Sequence, residues 1–303
     1  MYPILPLRYG ENPHQEAILY GYTPNQAPLG GQILQGKELS YNNLLDLDAA
    51  WRAVTSFIDT SVVIIKHLSP CGIASAKRLA DAYQSALACD PVSAYGGIVA
   101  CNKPVDLETA HEIKKLFVEC VIAPGFPQYV RGIMAEKKNC RLLEMPDLEI
   151  SPQYEYRSVN RGMLKQTIDQ GDPSEVNWHV VSKREPDDAE WESLRFAWKA
   201  CQNVKSNAIV FVKGTATVGI GGGQPNRVDC VRIAAERAGE KSQGAVMASD
   251  AFFPFPDSIE IAQESGITAV IHPGGSIRDK DAIEAADRAG MAMVTTGVRH
   301  FRH

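Results

Sequence analysis

The stretch SVVIIKHLSPCG, residues 61–72, decides how the rest of the chain is read. Ser61 to Ile65 is a β-branched apolar run, which by composition is a strand covered on both faces. Two cations follow at once, so Lys66 and His67 stand at the strand's exit, ahead of a turn over Leu68 to Gly72. In a continuing strand the two side chains would point to opposite faces; an irregular exit before Pro70 is needed for both to reach one point outside the carboxyl edge of a sheet. An ammonium nearby disfavours a charged imidazole, so the pair suits proton transfer, with His67 neutral and able to accept a proton. The alternative is a solvated strand end whose charges only discourage edge pairing.

Working outward, LLDLDAAWRAVTSF (44–57) has helical apolar spacing ahead of this strand, and YTPNQAPLGGQ (22–32) is a Pro- and Gly-rich loop. After it come an amphipathic helix in SAKRLADAYQSALACD (75–90), a strand in SAYGGIVAC (93–101), a helix in LETAHEIKKLF (107–117) and a short strand in VECVIAP (118–124). Such alternation predicts a mainly parallel or mixed sheet covered by helices, with ligands beyond the carboxyl ends of the strands. From Glu136 to Asp188 the chain turns polar and carries Pro146, Pro152, Pro173 and Pro186, the marks of a boundary or insertion. Asp187 to Asn203 then reads as a helix with Trp191, Leu194, Trp198 and Cys201 on one face, and AIVFVKGTATVGIG (208–221) as a hairpin turning at Lys213 to Thr215. Alternation resumes through PNRVDCVRIAAERAG (225–239), QGAVMASD (243–250), DSIEIAQESG (257–266), ITAVIHPGG (267–275), DKDAIEAADRAG (279–290) and MAMVTT (291–296). The expected organisation is a first α/β subdomain over residues 1–150, a linker or insertion over 151–186 and a second α/β subdomain over 187–303. Element order alone suggests duplication; no residue-level repeat accompanies it.

The 303 residues, 45% hydrophobic, suffice for substantial cores. Lys and Arg number 31 against 36 Asp and Glu, a net charge of −5, so neither nucleic acid nor an anionic membrane is an expected partner. The seven cysteines show no framework spacing, which points to reduced thiols and a cytoplasmic setting. The opening MYPILPLRYGENPHQ does not read as a signal peptide, and no apolar run is long enough to span a bilayer.

Individual motifs stay ambiguous. His67, Pro70 and Cys71 resemble part of a zinc-deaminase pattern, but Ala74 stands where the second cysteine would be and no H-x-E triplet exists, so no metal site is expected. Cys71 in its small apolar context reads as a packed thiol. GIGGGQPNR (219–227) can bring backbone amides close to a ligand or be a plain turn; it lacks the lysine and hydroxyl of a triphosphate loop. HPGGSIRD (272–279) is either a ligand loop or an ordinary strand-to-helix connection. ASDAFFPFPDS (248–258) holds three phenylalanines that either fill an interface or wall a flat heteroaromatic ligand, with Asp257 at its polar edge.

Taken together, RYGENPHQ (8–15), LSYNNLLD (39–46), KHLSPCG (66–72), DPVSAYGG (90–97), IAPG (122–125), KSNAIV (205–210), GIGGGQPNRV (219–228), SDAFFPFPD (249–257), PGGSIRD (273–279) and RHFRH (299–303) resemble, in order and over nearly the whole chain, the aminoimidazole carboxamide ribonucleotide (AICAR) transformylase domain of the bifunctional purine biosynthesis protein family. The resemblance implies two cytidine-deaminase-like α/β halves without zinc. It also implies formyl transfer from N10-formyltetrahydrofolate to the 5-amino group of AICAR in purine biosynthesis. By position, Lys66 and His67 match the catalytic pair, transition-state stabiliser and general base, and Asn207 matches a residue holding the reacting region. Arg8, Tyr9, Gly96, Glu119, Arg227, Phe252 and Arg299 match nucleotide-contacting positions; Val228, Asp257, Ser276 and Ile277 match folate-contacting ones. The family implies a homodimer with shared active sites. Its upstream cyclohydrolase domain is absent from this sequence, so ring closure is expected of a separate protein or of a portion of the protein outside this sequence. Pro256, Pro225 and Asn226 depart from the family pattern beside the folate wall and bear on donor specificity. Two rivals are a nucleotide-binding module without turnover, which the intact Lys66 and His67 oppose, and a formate- and ATP-dependent formyltransferase, which the missing GK[ST] sequence opposes.

Overall fold

In the computed structural model, which describes residues 1–150 and 153–303, the SVVII run is a strand whose alternate residues serve two different cores. Val63 and Ile65 face one, Val62 and Ile64 the other, and none is more than 1% exposed. At about 1.5–3 kcal/mol for each aliphatic side chain fully buried, this strand is among the strongest local contributors to folding.

The chain begins with β1 (Tyr2–Leu7) and β2 (Ala17–Gly21), which pair in a two-stranded sheet of their own. Next come β3 (Gln32–Gln35), α1 (Tyr41–Thr55), β4 (Ser61–Lys66), β5 (Ser69–Ser75), α2 (Leu79–Cys89), the short α3 (Pro91–Ala94), β6 (Ile98–Cys101), α4 (Leu107–Lys115), β7 (Cys120–Ala123), α5 (Gln128–Met134) and β8 (Arg141–Glu144). The stretch expected as a linker holds an exposed hairpin, β9 (Tyr154–Val159) with β10 (Gly162–Thr167), and the two-residue β11 (His179–Val180). Then follow α6 (Asp188–Cys201), β12 (Ala208–Lys213), β13 (Ala216–Gly222), α7 (Arg227–Ala238), β14 (Val246–Ser249), α8 (Asp257–Glu264), β15 (Ala269–His272), α9 (Asp279–Arg288) and β16 (Ala292–Thr295). No helix among the described residues is long and apolar enough to cross a membrane.

One 12-stranded sheet runs β11-β16-β15-β14-β12-β13-β5-β4-β6-β7-β8-β3. It is mixed, and outward from the β13/β5 seam both halves repeat one pattern: an antiparallel hairpin, an antiparallel neighbour, two parallel steps and an antiparallel edge strand. One core runs across both halves beneath α1 and α6. The opposite face carries two separate cores, one under α2, α4 and α5 and one under α7, α8 and α9.

The duplication that element order suggested extends to register. Both helices beneath the common core open on a capping box, Ser40 with Asn43 in α1 and Asp187 with Glu190 in α6. Both hairpins close on two-residue turns, Lys66 pairing with Ser69 and Lys213 with Ala216, and both slip register at corresponding points, Ile64/Ile65 and Phe211/Val212. LSPCG, expected as a turn, is therefore mostly strand: the chain reverses within His67 and Leu68, and Pro70, which lacks an N–H, takes the place opposite Ile65 where the ladder is bulged. Both hairpins also need a glycine under the helix that follows. A Cβ on Gly72 would lie 1.9 Å from the Ala86 carbonyl oxygen, and one on Gly219 2.2 Å from that of Ala234. We expect Gly72→Ala to destabilise the protein by about 3 kcal/mol, at the upper end for overpacking, because backbone cannot yield as a side chain does. Chemical denaturation measures it, and a variant as stable as the parent would mean that α2 does not rest on β5 this closely.

Candidate functional site

Strand direction decides which residues share an edge. β4 ends at the same edge at which β6 and β7 begin, because it is antiparallel to β6. Through the antiparallel seam, β12 begins at that edge, and β13, β14, β15 and β16 end there. Lys66 and His67 leave β4, Gly96 precedes β6, Glu119 precedes β7 and Asn207 precedes β12. Arg227 and Val228 follow β13, Phe252 and Asp257 follow β14, Ser276 and Ile277 follow β15, and Arg299 follows β16. Ligands were expected outside carboxyl ends throughout; Lys66 and His67 and most second-half residues follow carboxyl ends, but Gly96, Glu119 and Asn207 flank the amino ends of β6, β7 and β12. Arg8 and Tyr9 lie on the β1–β2 hairpin, whose Glu11 carbonyl accepts from Asn42 at the start of α1, with the exposed Arg8 guanidinium 5.5 Å from the Tyr9 ring centroid.

At the β4 exit the backbone is unusual. His67 (φ 52°) and Leu68 (φ 62°) are the only consecutive non-glycine residues at positive φ among those described, the signature of a type I′ turn. The Asp46 carboxylate in α1 accepts from both turn amides, His67 N–H at 3.1 Å and Leu68 N–H at 2.7 Å. His67 is exposed, whereas Lys66 is half-buried and donates from Nζ to the Tyr95 carbonyl at 2.6 Å. Gly96 stands beside it at φ 77°: a Cβ there would make only ordinary contacts, 3.9 Å from the Lys66 ammonium and 3.6 Å from the Phe117 ring, so the left-handed backbone and not the space asks for glycine. Glu119 is bonded to Arg141 at 2.5 Å. Cys71 is buried, and burial pushes its thiol up to about 12, so it packs and does not attack.

Three strand spacings from β4, about 14 Å, a second set is tied together. Arg227, 7% exposed, donates to Asn207 Oδ1 at 2.6 Å and Ser249 Oγ at 2.9 Å and pairs with Asp250. Asp250 is fully buried and also accepts from the Ala208 amide and the Ser206 hydroxyl. Asn207 in turn donates to the Gln224 and Pro225 carbonyls, at 2.8 and 3.0 Å, and follows a cis peptide bond with Ser206. Arg227 and Asn207 are thus together, but the arginine is engaged by the protein itself. Of the three phenylalanines only Phe253 is core, at 0% exposure against the His272 ring; Phe252 and Phe255, at 39% and 52%, stay open at the edge. Asp257 opens α8, Val228 is buried in the first turn of α7, Ser276 accepts from the Arg278 amide, and Ile277 is fully exposed.

The tail after β16 turns back along this edge. His300 N–H donates to the Asp250 carbonyl, and Ser206 N–H to that of Arg302 at 2.8 Å. Its anchor is His300, buried, with Nδ1 2.6 Å from Asp169 and Nε2 2.8 Å from Asp172, which also accepts from the Trp178 and Trp198 indoles. Two carboxylates offer only lone pairs, so both ring nitrogens donate and the ring is an imidazolium. Burial opposes that charge, but the bonds and charges of the two aspartates outweigh it and hold His300 at about 9. Burial likewise opposes ionisation of both carboxyls, but the His300 bond and charge, together with the Gly171 amide at Asp169 and the two indoles at Asp172, outweigh it, so each lies below its usual range.

The returning tail closes a cleft of 1020 Å³ lined by Leu68 of the turn, the β9–β10 hairpin, α1, α6 and the tail itself. Arg52, Arg157, Lys165, Lys199, Lys205, Arg299 and Arg302 there outnumber Asp48, Glu155 and Asp169, so the cleft suits an anion. A smaller cavity of 440 Å³, at the opposite edge, is lined by Gly31, Pro124 and Met145 and by none of the anticipated residues. No metal-holding group of His, Cys, Asp or Glu occurs among the described residues. Asp46, Asp250 and His300 were not singled out from sequence, although LSYNNLLD, SDAFFPFPD and RHFRH contain them; an internal anchor looks in sequence like any other polar residue.

Fold and site define an α/β protein with a duplicated mixed sheet and one polar, cation-rich edge. A model of the AICARFT/IMPCHase bienzyme family matches residues 3–237, and the chain belongs to that family. It is 51% identical over 300 residues to the "Bifunctional purine biosynthesis protein PurH" of Nostoc punctiforme, covering 98% of this chain and 58% of that protein. Proteins of the same name from an Anaeromyxobacter species and from Parvibaculum lavamentivorans are 51% and 52% identical, each over 98% of this chain and 59% and 58% of their own lengths. The chain therefore spans rather more than half the length of these relatives.

For His300 the sign of the pH effect follows from its raised value. The imidazolium contribution to stability is complete below the ordinary histidine value of 6.5 and disappears as pH rises through about 9. We expect the melting temperature of the parent to fall over that interval and His300→Gln to flatten the fall; the same slope in both proteins would exclude His300 as the titrating group.

Proposed function

We propose that this chain catalyses formyl transfer from N10-formyltetrahydrofolate to the 5-amino group of AICAR, as a cytoplasmic enzyme of purine biosynthesis. The observation that carries this is the type I′ turn bearing Lys66 and His67, whose next residue, Leu68, lines a cation-rich cleft, in a member of the AICARFT/IMPCHase family.

The attacking amine is weakened by conjugation with the ring and carboxamide, so its proton must leave as its nitrogen bonds to the formyl carbon. His67, exposed at the turn, takes that proton and then supplies one to N10 of the folate as its bond to carbon breaks. Charge collects on the formyl oxygen in between. Lys66 has three donors, of which the Tyr95 carbonyl occupies one, leaving two to steady the oxyanion. Asn207, held by Arg227 and the Gln224 and Pro225 carbonyls, keeps the reacting region in place. Arg299, in the cleft, answers the ribonucleotide phosphate; Gly96, Glu119 and Phe252 shape the nucleotide place, with Arg227 stiffening it. Val228, Asp257, Ser276 and Ile277 take the folate, and the exposed Phe252 and Phe255 wall its pterin, one face of Phe255 being covered by the Arg278 guanidinium at 5.0 Å. Arg8 and Tyr9, on a hairpin outside the main sheet, serve the site of a second copy, which makes the working unit a homodimer. Ring closure falls to cyclohydrolase machinery outside these residues.

Purified protein with AICAR and N10-formyltetrahydrofolate is expected to release tetrahydrofolate, and His67→Ala to lower kcat about a hundredfold or more. A parent inert with this donor but active with formate and ATP would replace the proposal. Arg8→Ala and His67→Ala proteins, each weak alone, are expected to regain activity when mixed, since one mixed dimer site is intact; a fully active monomer in sedimentation would remove the shared site.

A further inference from the structure

The duplicated fold supplies its own control for the His67 turn. Lys66 and Lys213 occupy matching places, and the second also donates to a backbone carbonyl, that of Gln243 at 3.0 Å. That turn reverses through Gly214 (φ 60°) and Thr215, with positive φ at the glycine alone, the pattern of a type II′ turn. In the first half a histidine and a leucine stand at those two places, both left-handed, a conformation that side chains disfavour. The helix above has changed with the turn. Three residues after the capping-box residue, α1 carries Asp46 and α6 carries Ser193, whose hydroxyl donates to its own helix at Ala189. A carboxylate accepting from two consecutive turn amides thus occurs in the half where the turn lacks glycine and bears a candidate base. Strand pairing does not require it, since β12 and β13 form the same ladder without one.

We propose that Asp46 is the positioning residue for His67: its two oxygens hold the His67 and Leu68 amides so that the turn keeps its type I′ form and the imidazole leaves the strand in one direction. Neither the sequence motifs nor the comparisons assign Asp46 a role. The proposal rests on His67 acting as proposed above. A carboxamide offers one oxygen and one NH₂ where the carboxylate offers two oxygens, so Asp46→Asn leaves one of the two amides facing a donor. Leu68→Gly removes the conformational demand at the second turn position and so lessens the need for the anchor.

Four proteins decide it: parent, Asp46→Asn, Leu68→Gly and the double variant, all dimeric and folded by melting temperature. With 15N-histidine label the seven histidines give few amide signals, and that of His67 is assigned as the one lost in His67→Ala. Asp46→Asn is expected to move this signal and to lower kcat about tenfold to a hundredfold, with KM changed less than about threefold, the scale of a misplaced catalytic group. The double variant is expected to recover most of kcat. An unmoved amide signal in Asp46→Asn overturns the anchor. A moved signal with kcat unchanged overturns the positioning role. If the double variant restores the signal but not kcat, while Leu68→Gly alone keeps the parental kcat, Asp46 acts on substrate directly. A parent without transfer activity defeats the functional proposal instead, and the amide signal still tests the anchor.

Discussion

Thr217 joins the two half-sheets. Its hydroxyl accepts from the Ile73 amide at 2.9 Å and donates to the Ile73 carbonyl at 3.1 Å, while Thr215 and Ser75 exchange two further bonds and Ala216 pairs with Ala74. Threonine side chains thus do much of what a backbone ladder does elsewhere, at 1% exposure, where an unmade hydrogen bond would cost about 1–3 kcal/mol. Because the seam is antiparallel, the exit of β4 and the loops after β14, β15 and β16 lie on one edge. A parallel seam would have put them on opposite edges, and no single cleft could have drawn on both halves.

The halves diverged unequally within a shared frame. Capping boxes, bulges, the glycines beneath α2 and α7 and the lysines that end β4 and β12 all correspond. Asn102 and Asp250 correspond too, each accepting the first amide of its half's hairpin, from Ser61 and from Ala208. In the second half the aspartate additionally ties Arg227 and Ser206 and so became the centre of a polar network. In the first, the turn carries His67 and the helix above it Asp46, where the second has Gly214 and Ser193. Packing constrained the frame, and the ends of elements, which bear less of it, were free to become chemical.

Much of the fold was legible because it rests on periodicity. The helices α1, α2, α4, α6, α7, α8 and α9 and the strands β4, β6, β7 and β12 to β16 follow apolar patterns that survive without neighbours. The β5 strand did not: Pro70 and Gly72 are turn residues by local preference, and here they serve a bulge and a close helix approach imposed by α2. The short edge strands β3 and β11 pair at the ends of the sheet and carry little hydrophobic signal of their own. In the site, residues with distinctive chemistry in long motifs were visible, while Asp46 and His300, whose partners lie 21 or more residues away, were not.

By itself the sequence determined the alternation of strands and helices, the closing of β4 by two cations and the motifs of one family, since all of these depend on residues near one another in the chain. Only the tertiary structure decided that the strands form one continuous sheet, that the seam is antiparallel, that Arg227 is held internally and that an acid in α1 grips the His67 turn. Those outcomes depend on strand direction and on hydrogen bonds between distant segments, for which neighbouring residues carry no record.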